Sequence, residues 1–234
     1  MMDCEKASLK YPGLQNQPDD GENASSLRRH LKHFLRTQFG RPTGFWGYMA
    51  GKIMAWTPSN QDRIRWTLSL LEVKPNDRLL EIGFGPGFAV ELASKIASKG
   101  FVAGVDHSNI MLGQASRRNA AAIRNGNVEL RLGSVSNLPR FSEPFDKIYT
   151  INSIHFWPDP LGCLMRLREL LKPGGCIAIT IQPRSRISSD ETTERIGKEI
   201  AEKLVHVGFT SVQCEIKKMK PVAVACVRGV NDIG

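Results

Sequence analysis

The sequence lacks the features that mark several protein classes. Its 234 residues include only five cysteines, which are scattered and form no CxxC pair. This argues against a disulfide framework and against a zinc site, and no metal ligand set is predicted. No run of about 18 apolar residues is present, so no membrane-spanning helix is expected. The first residues also lack the apolar core of a signal peptide. We therefore expect a cytoplasmic protein in a reducing compartment.

Long blocks of one charge are also missing. The chain has 32 Lys and Arg against 23 Asp and Glu, a net charge of +9, but no run of five or more like charges. The missing runs disfavour nucleic acid as a partner, and the basic excess is equally compatible with simple solubility. Contact with an anionic membrane through Arg41 and Lys52 remains an alternative. Gly47 and Gly51 weaken it, because glycine destabilises a free helix.

Periodicity divides the chain into three parts. Residues 1–26 are polar and turn-rich and predict a mobile arm. Residues 27–72 show helical spacing and predict an N-terminal helical cap. Residues 73–234 predict an α/β core with five short apolar strands and a closing pair, at Arg78–Ile82, Phe101–Val105, Val128–Leu132, Phe145–Ile151, Cys176–Ile181, Thr210–Lys217 and Val222–Val227. Helices are predicted at Ala89–Lys99, Asn109–Arg124, Leu161–Leu171 and Asp190–Val207. Strands that alternate with helices indicate a parallel sheet covered on both faces, and the short link between the last two strands indicates an antiparallel hairpin.

A glycine-rich segment follows the first core strand. Gly83, Gly85 and Gly87 come directly after it, and the acid Glu81 lies two residues before the first of them. Such a turn lets the backbone approach a ligand closely at the start of a helix. In the dinucleotide-binding pattern the third glycine stands five residues after the first, whereas here it stands four after. Asp106 ends the second strand, where a carboxylate can hold both hydroxyls of a ribose.

Three further segments complete an ordered set. They are Gly133-Ser134-Val135 after the third strand, Phe145–Asn152 as the fourth strand and Leu170–Gly175 before the fifth. Over about Asp77 to Val227, this set resembles the class I S-adenosylmethionine-dependent methyltransferases. The resemblance implies a Rossmann-like, doubly wound, mostly parallel seven-stranded sheet with a C-terminal antiparallel hairpin. It also implies S-adenosyl-L-methionine as cofactor and S-adenosyl-L-homocysteine as product.

The resemblance assigns roles to individual residues. It implies that Glu81 and the three glycines surround the methionine half of the cofactor, and that Asp106 binds its ribose. The remaining cofactor contacts that it implies are His107 and Met111 beside the adenine, Ser134 and Val135 flanking the base, and Asn152 near the transferable methyl group. Ser134 departs from the family pattern, in which an aspartate is common, and a hydroxyl is the weaker hydrogen-bond acceptor.

The chemistry needs little from the protein besides alignment. Methyl transfer from a sulfonium is an in-line displacement, so positioning and exclusion of water dominate. A base is needed only where the acceptor must lose a proton. His155, shortly after the fourth strand, is the candidate, since neutral imidazole accepts protons near pH 7. The alternative is that His155 only hydrogen-bonds its own loop.

The acceptor is expected to meet the N-terminal part of the chain. Six aromatic or methionine residues fall within twelve positions there, namely Phe45, Trp46, Tyr48, Met49, Met54 and Trp56. Our hypothesis is that this segment closes over the cofactor and shapes an apolar acceptor pocket, with Tyr48 and Trp157 as acceptor contacts. The alternative is that these side chains simply pack on the edge of the sheet.

The sequence therefore predicts a methyltransferase that acts on a small, partly apolar acceptor, as a monomer or a homodimer. Two alternatives remain open: an RNA or protein methyltransferase, favoured only by the basic charge, and a non-enzymatic regulatory domain that binds the same cofactor.

Overall fold

A computed structural model describes residues 58–183 and 187–232. Its helices are α1 Pro58–Leu70, α2 Phe88–Ile96, α3 Asn109–Arg118, α4 Ala120–Arg124, α5 Pro160–Glu169 and α6 Asp190–His206. Its strands are β1 Arg78–Ile82, β2 Phe101–Asp106, β3 Val128–Leu132, β4 Phe145–Ile151, β5 Leu171–Ile181, β6 Thr210–Lys217 and β7 Val224–Asn231. A 3₁₀ turn, Ile154–Phe156, lies between β4 and α5.

The strands form one seven-stranded sheet. Its order is β3-β2-β1-β4-β5-β7-β6. The first five strands pair in parallel, while β7 is antiparallel to both β5 and β6. This confirms the predicted mostly parallel sheet with a C-terminal antiparallel hairpin. The strand order changes direction between β1 and β4, and ligands bind at such a switch point, beyond the carboxyl ends of the strands.

Both faces of the sheet are buried. On one face α5 and α6 pack their apolar sides, including Leu164 and Leu204, against the strands. On the other face α1, α2 and α3 do the same through Leu68, Val90 and Ala115. Burial on both faces explains why the central strands, such as β1 and β2, are nearly continuous apolar runs, whereas the edge strand β6 is largely exposed and more polar.

Helix α1 runs opposite to the parallel strands. Near its start Arg63 donates a hydrogen bond to the side-chain carbonyl of Gln182, which follows β5. Just beyond its end, Lys147 near the start of β4 donates to the carbonyl oxygen of Glu72 at 2.9 Å. The start of α1 therefore lies at the carboxyl edge of the sheet.

The structure corrects three predicted boundaries. The helix predicted over Asn109–Arg124 is two helices, because the side chain of Asn119 bonds the carbonyl of Ala115 and ends the first. Strand β5 begins at Leu171, five residues before the predicted start, because Leu171 already pairs with Phe145 ahead of a bulge. The last strand, predicted at 222–227, is shifted to Val224–Asn231.

Much of the predicted N-terminal part lies outside the described residues. This holds for the arm at 1–26 and for residues 27–57 of the predicted helical cap. Among the helices of 58–183 and 187–232, none is both long enough and apolar enough to cross a bilayer.

Candidate functional site

The three glycines form a left-handed turn between β1 and α2, here called the glycine loop (Gly83–Gly87). Their φ angles are 77°, 52° and 81°, in the region that side chains other than glycine rarely adopt. A Cβ on Gly83 would lie 2.6 Å from Oγ of Ser153, and one on Gly87 would lie 2.7 Å from Cβ of Ala115. A Cβ on Gly85 would have nothing within 4 Å. Two glycines thus allow close packing, and the middle one leaves an open side toward which a ligand can approach.

The end of α3 holds the glycine loop from behind. The side-chain amide of Asn119 donates to the carbonyl of Gly87 at 3.1 Å. Nε of Arg118 donates to the carbonyl of Pro86 at 3.0 Å, and its guanidinium lies 3.3 Å from the ring centroid of Phe88. We call Arg118 and Asn119 the loop clamp. Neither residue is predicted from the sequence, since a polar helix end resembles an ordinary solvated surface.

Asp106 lies at the carboxyl end of β2 and faces the glycine loop. Its carboxylate accepts hydrogen bonds from the backbone N–H groups of Gly85, at 2.8 Å, and Ser108, at 2.9 Å. Burial raises the pKa of Asp106, while these two N–H groups and neighbouring His107 oppose the rise. Each carboxylate oxygen accepts more than one bond, so capacity remains for ribose hydroxyls. The position suits the predicted ribose contact.

Glu81 lies beneath the glycine loop. Its side chain is only 2% exposed, and its Oε2 accepts a hydrogen bond from the Tyr149 hydroxyl at 3.1 Å. Burial raises the pKa of Glu81 to about 8, the negative charge of Asp106 adds to the rise, and the Tyr149 hydroxyl and the Val90 N–H oppose it. The structure therefore assigns Glu81 a supporting position under the loop. Tyr149, its partner, had no signal in the sequence beyond an aromatic residue in an apolar strand.

The predicted adenine contacts have mixed surroundings. The side chain of His107 is half exposed, with Nδ1 3.7 Å from a carboxylate oxygen of Asp106. Met111 and Val135 are both buried in the core. Ser134 is exposed, and its Oγ accepts a hydrogen bond from the N–H of Ser136 at 3.2 Å. The four residues thus flank the ends of β2 and β3, with His107 and Ser134 at the surface.

Asn152 occupies the switch point at the end of β4. Its φ is 56°, and its Oδ1 accepts a hydrogen bond from the N–H of Gln182 at 2.7 Å. Its buried Nδ2 has no hydrogen-bond partner within the described part of the chain. An unmet buried donor is costly, so this amide is suited to a ligand acceptor group.

The turn after Asn152 carries the predicted base. His155 is exposed, and its ring lies 4.0 Å, between centroids, from that of Phe156, which is 51% exposed. Trp157, a predicted acceptor contact, is instead 7% exposed in the core, and its Nε1 donates to Oγ of Ser153 at 3.0 Å. We expect Trp157 to position Ser153 against the glycine loop. The other predicted acceptor contact, Tyr48, lies outside the described residues.

The residues fit an adenosyl ligand with a positive charge. Asp106 suits ribose hydroxyls, and the open side of Gly85 admits a ligand against the backbone. Two buried acids, Glu81 and Asp106, lie next to the loop. Wherever these acids are ionised, their negative charge favours a cationic sulfonium over the anionic pyrophosphate of a dinucleotide.

Comparison with known proteins agrees with this chemistry. A family model described as "Methyltransferase domain" matches residues 79–175. The chain is 33% identical over 178 residues to the Uncharacterized methyltransferase YdaC of Bacillus subtilis (strain 168), covering 76% of this chain and 95% of YdaC. It is 27% identical to the ubiquinone/menaquinone biosynthesis C-methyltransferase UbiE of Geotalea daltonii, and the match spans 49% of each protein.

A solved structure shows the same fold. It is the N-methyltransferase NodS from Bradyrhizobium japonicum WM9 in complex with S-adenosyl-L-homocysteine. The TM-score is 0.61 at 19% sequence identity, with 76% of this chain and 90% of NodS covered.

Proposed function

Because the chain belongs to the class I S-adenosylmethionine-dependent methyltransferase family, we propose that its methyl acceptor is a small molecule with an apolar part. Bound S-adenosylmethionine supplies a methyl group on a positively charged sulfur, already activated for displacement. The chain's residues bind and orient the reactants. The glycine loop would lie against the methionine half of the cofactor and Asp106 would hold the ribose, while Asn152 lies at the switch point between β1 and β4.

The observation that carries the proposal is the exposed pair His155 and Phe156. They stand two and three residues after Ser153, which packs against Gly83 of the glycine loop. An aromatic face beside one polar group is typical of pockets for small, partly apolar ligands. Two relatives support this choice: UbiE is named for quinone biosynthesis, and NodS is an N-methyltransferase.

His155 is our proposed base for an acceptor that must lose a proton. It lies beside Phe156, so an acceptor that covers the phenyl ring brings its nucleophile near the imidazole. Tyr48 and the neighbouring aromatic residues complete the proposed pocket. The direction of α1 supports this, because the chain enters α1 at the carboxyl edge of the sheet.

The test uses S-adenosylmethionine with an isotopically labelled methyl group. The full-length protein is incubated with a cell extract that is separated afterwards into acid-precipitable macromolecules and solvent-extractable small molecules. We expect the label in the small-molecule fraction. Label in precipitated RNA or protein would contradict the proposal and favour the macromolecular alternative.

The Phe156→Ala variant, in the same labelling experiment, tests whether Phe156 belongs to the acceptor site. We expect about a tenfold loss of labelling, since burying an aromatic side chain contributes about 1.5–3 kcal/mol. Met165→Ala is the matched control, because Met165 is also half exposed, at 50%, but lies on α5. Equal labelling by both variants would exclude Phe156 from the acceptor site.

A further inference from the structure

The acid under the glycine loop has an unusual set of neighbours. Glu81 pairs in register with Gly104 on β2 and with Tyr149 on β4. Gly104 has no side chain that could contact the Glu81 carboxyl group. On the other side, the Tyr149 hydroxyl donates a hydrogen bond to it. From above, α2 contributes the backbone N–H of Val90. Both hydrogen-bond donors are uncharged.

No ion pair relieves the charge of Glu81 among the described residues. The group whose charge acts on it is another acid, Asp106, which is itself in contact with the half-exposed His107. Burial and this repulsion raise the pKa of Glu81 to about 8. The buried carboxyl group is therefore largely protonated at neutral pH, and a positive charge brought close to it favours its ionised form.

The cofactor and its product differ by one such charge. S-adenosylmethionine carries a sulfonium, whereas the sulfur of S-adenosylhomocysteine is neutral. The open side of the glycine loop is at Gly85, whose N–H bonds Asp106, the acid whose charge acts on Glu81. A sulfonium bound there would lie on the order of 10 Å from the Glu81 carboxyl group. At that distance, through a protein interior, one charge changes a binding constant about tenfold.

We propose that Glu81, held by Tyr149, lets this enzyme distinguish its cofactor from its product by charge, with a preference for S-adenosylmethionine that grows as Glu81 ionises. Tyr149 acts as a positioning residue, since its hydroxyl stabilises the ionised carboxylate without touching the ligand. The consequence is less product inhibition at higher pH.

The experiment measures the binding of both ligands to the full chain by calorimetry. It is done at about pH 6 and about pH 9, below and above the pKa of Glu81. In the wild type, we expect the ratio of the Kd for S-adenosylhomocysteine to the Kd for S-adenosylmethionine to rise about tenfold. Glu81→Gln keeps the shape but cannot ionise, so we expect its ratio to stay at the low-pH value. The amino groups of the two ligands also titrate over this range, but they do so equally with both proteins. The difference between wild type and Glu81→Gln therefore reports on Glu81 alone.

Tyr149→Phe gives the second readout. Loss of its hydrogen bond raises the pKa of Glu81 further, so the change in the ratio moves to higher pH instead of disappearing. Thr180→Val is the control, because it removes another buried hydroxyl from a neighbouring strand. An equal rise in wild type and Glu81→Gln, or an unshifted transition in Tyr149→Phe, would overturn the proposal. If Glu81→Gln does not fold, the tyrosine variant decides alone.

Discussion

At the scale of single residues, the site depends on polar groups that lie where strands end. Asp106, Asn152 and His155 all follow or terminate strands of the parallel part of the sheet. Their roles differ by burial: Asp106 is buried and holds backbone N–H groups, whereas His155 is exposed. The proposed binding and proton-transfer roles therefore fall on different residues, which mutation can distinguish.

His155→Gln tests the proposed base. For an acceptor that loses a proton, we expect kcat to fall by about 10²-fold or more, the usual contribution of a positioned base. The affinity for S-adenosylhomocysteine, measured by calorimetry, should not change. His206→Gln is the control, as His206 is exposed at the end of α6. Unchanged turnover in His155→Gln would contradict the proposed base and favour the alternative, in which His155 only hydrogen-bonds its own loop.

At the scale of elements, the glycine loop is shaped by a helix distant in sequence. The loop clamp at the end of α3 bonds two carbonyl groups of the loop from 32 positions away. Asn119, the residue between α3 and α4, makes this contact with its side-chain amide. The end of α3 thus supports the proposed cofactor site.

Asn119→Asp tests the clamp with almost no change in shape. A carboxylate cannot donate to the carbonyls of Gly87 and Ala115, and a lost buried hydrogen bond costs about 1–3 kcal/mol. We expect about a tenfold weaker affinity for S-adenosylhomocysteine by calorimetry. Arg117→Ala, on the exposed neighbouring residue, should bind normally. Wild-type affinity in Asn119→Asp would show that the loop holds its shape without the clamp.

At the scale of the whole molecule, the two faces of the sheet carry different layers of helices. Phe84 of the glycine loop packs with α1 to α3 on one face, while α5 and α6 cover the other. A defect in the α6 layer should therefore lower stability and leave the ligand site intact.

Leu204→Ala would create a cavity in the α6 layer. Leu204 is fully buried against the strands, and truncating a buried leucine costs about 2–5 kcal/mol. We expect this loss in the free energy of unfolding measured with urea, with an unchanged Kd for S-adenosylhomocysteine. Val205→Ala, at a 61% exposed neighbour, should change neither quantity. A weakened Kd in Leu204→Ala would show that the two layers are coupled.

The order of strands and helices along the chain, the glycine loop and Asp106 could all be predicted from the amino-acid sequence, because these features are local: an apolar run, a turn that favours glycine, an acid at a strand end. The distant groups that surround them became visible only in the folded chain. Tyr149 reaches Glu81 across 68 positions, Asn119 reaches Gly87 across 32, and the side chain of Trp157 is buried in the core. Such contacts depend on strand register and helix packing, which bring together residues whose spacing along the chain carries no signal.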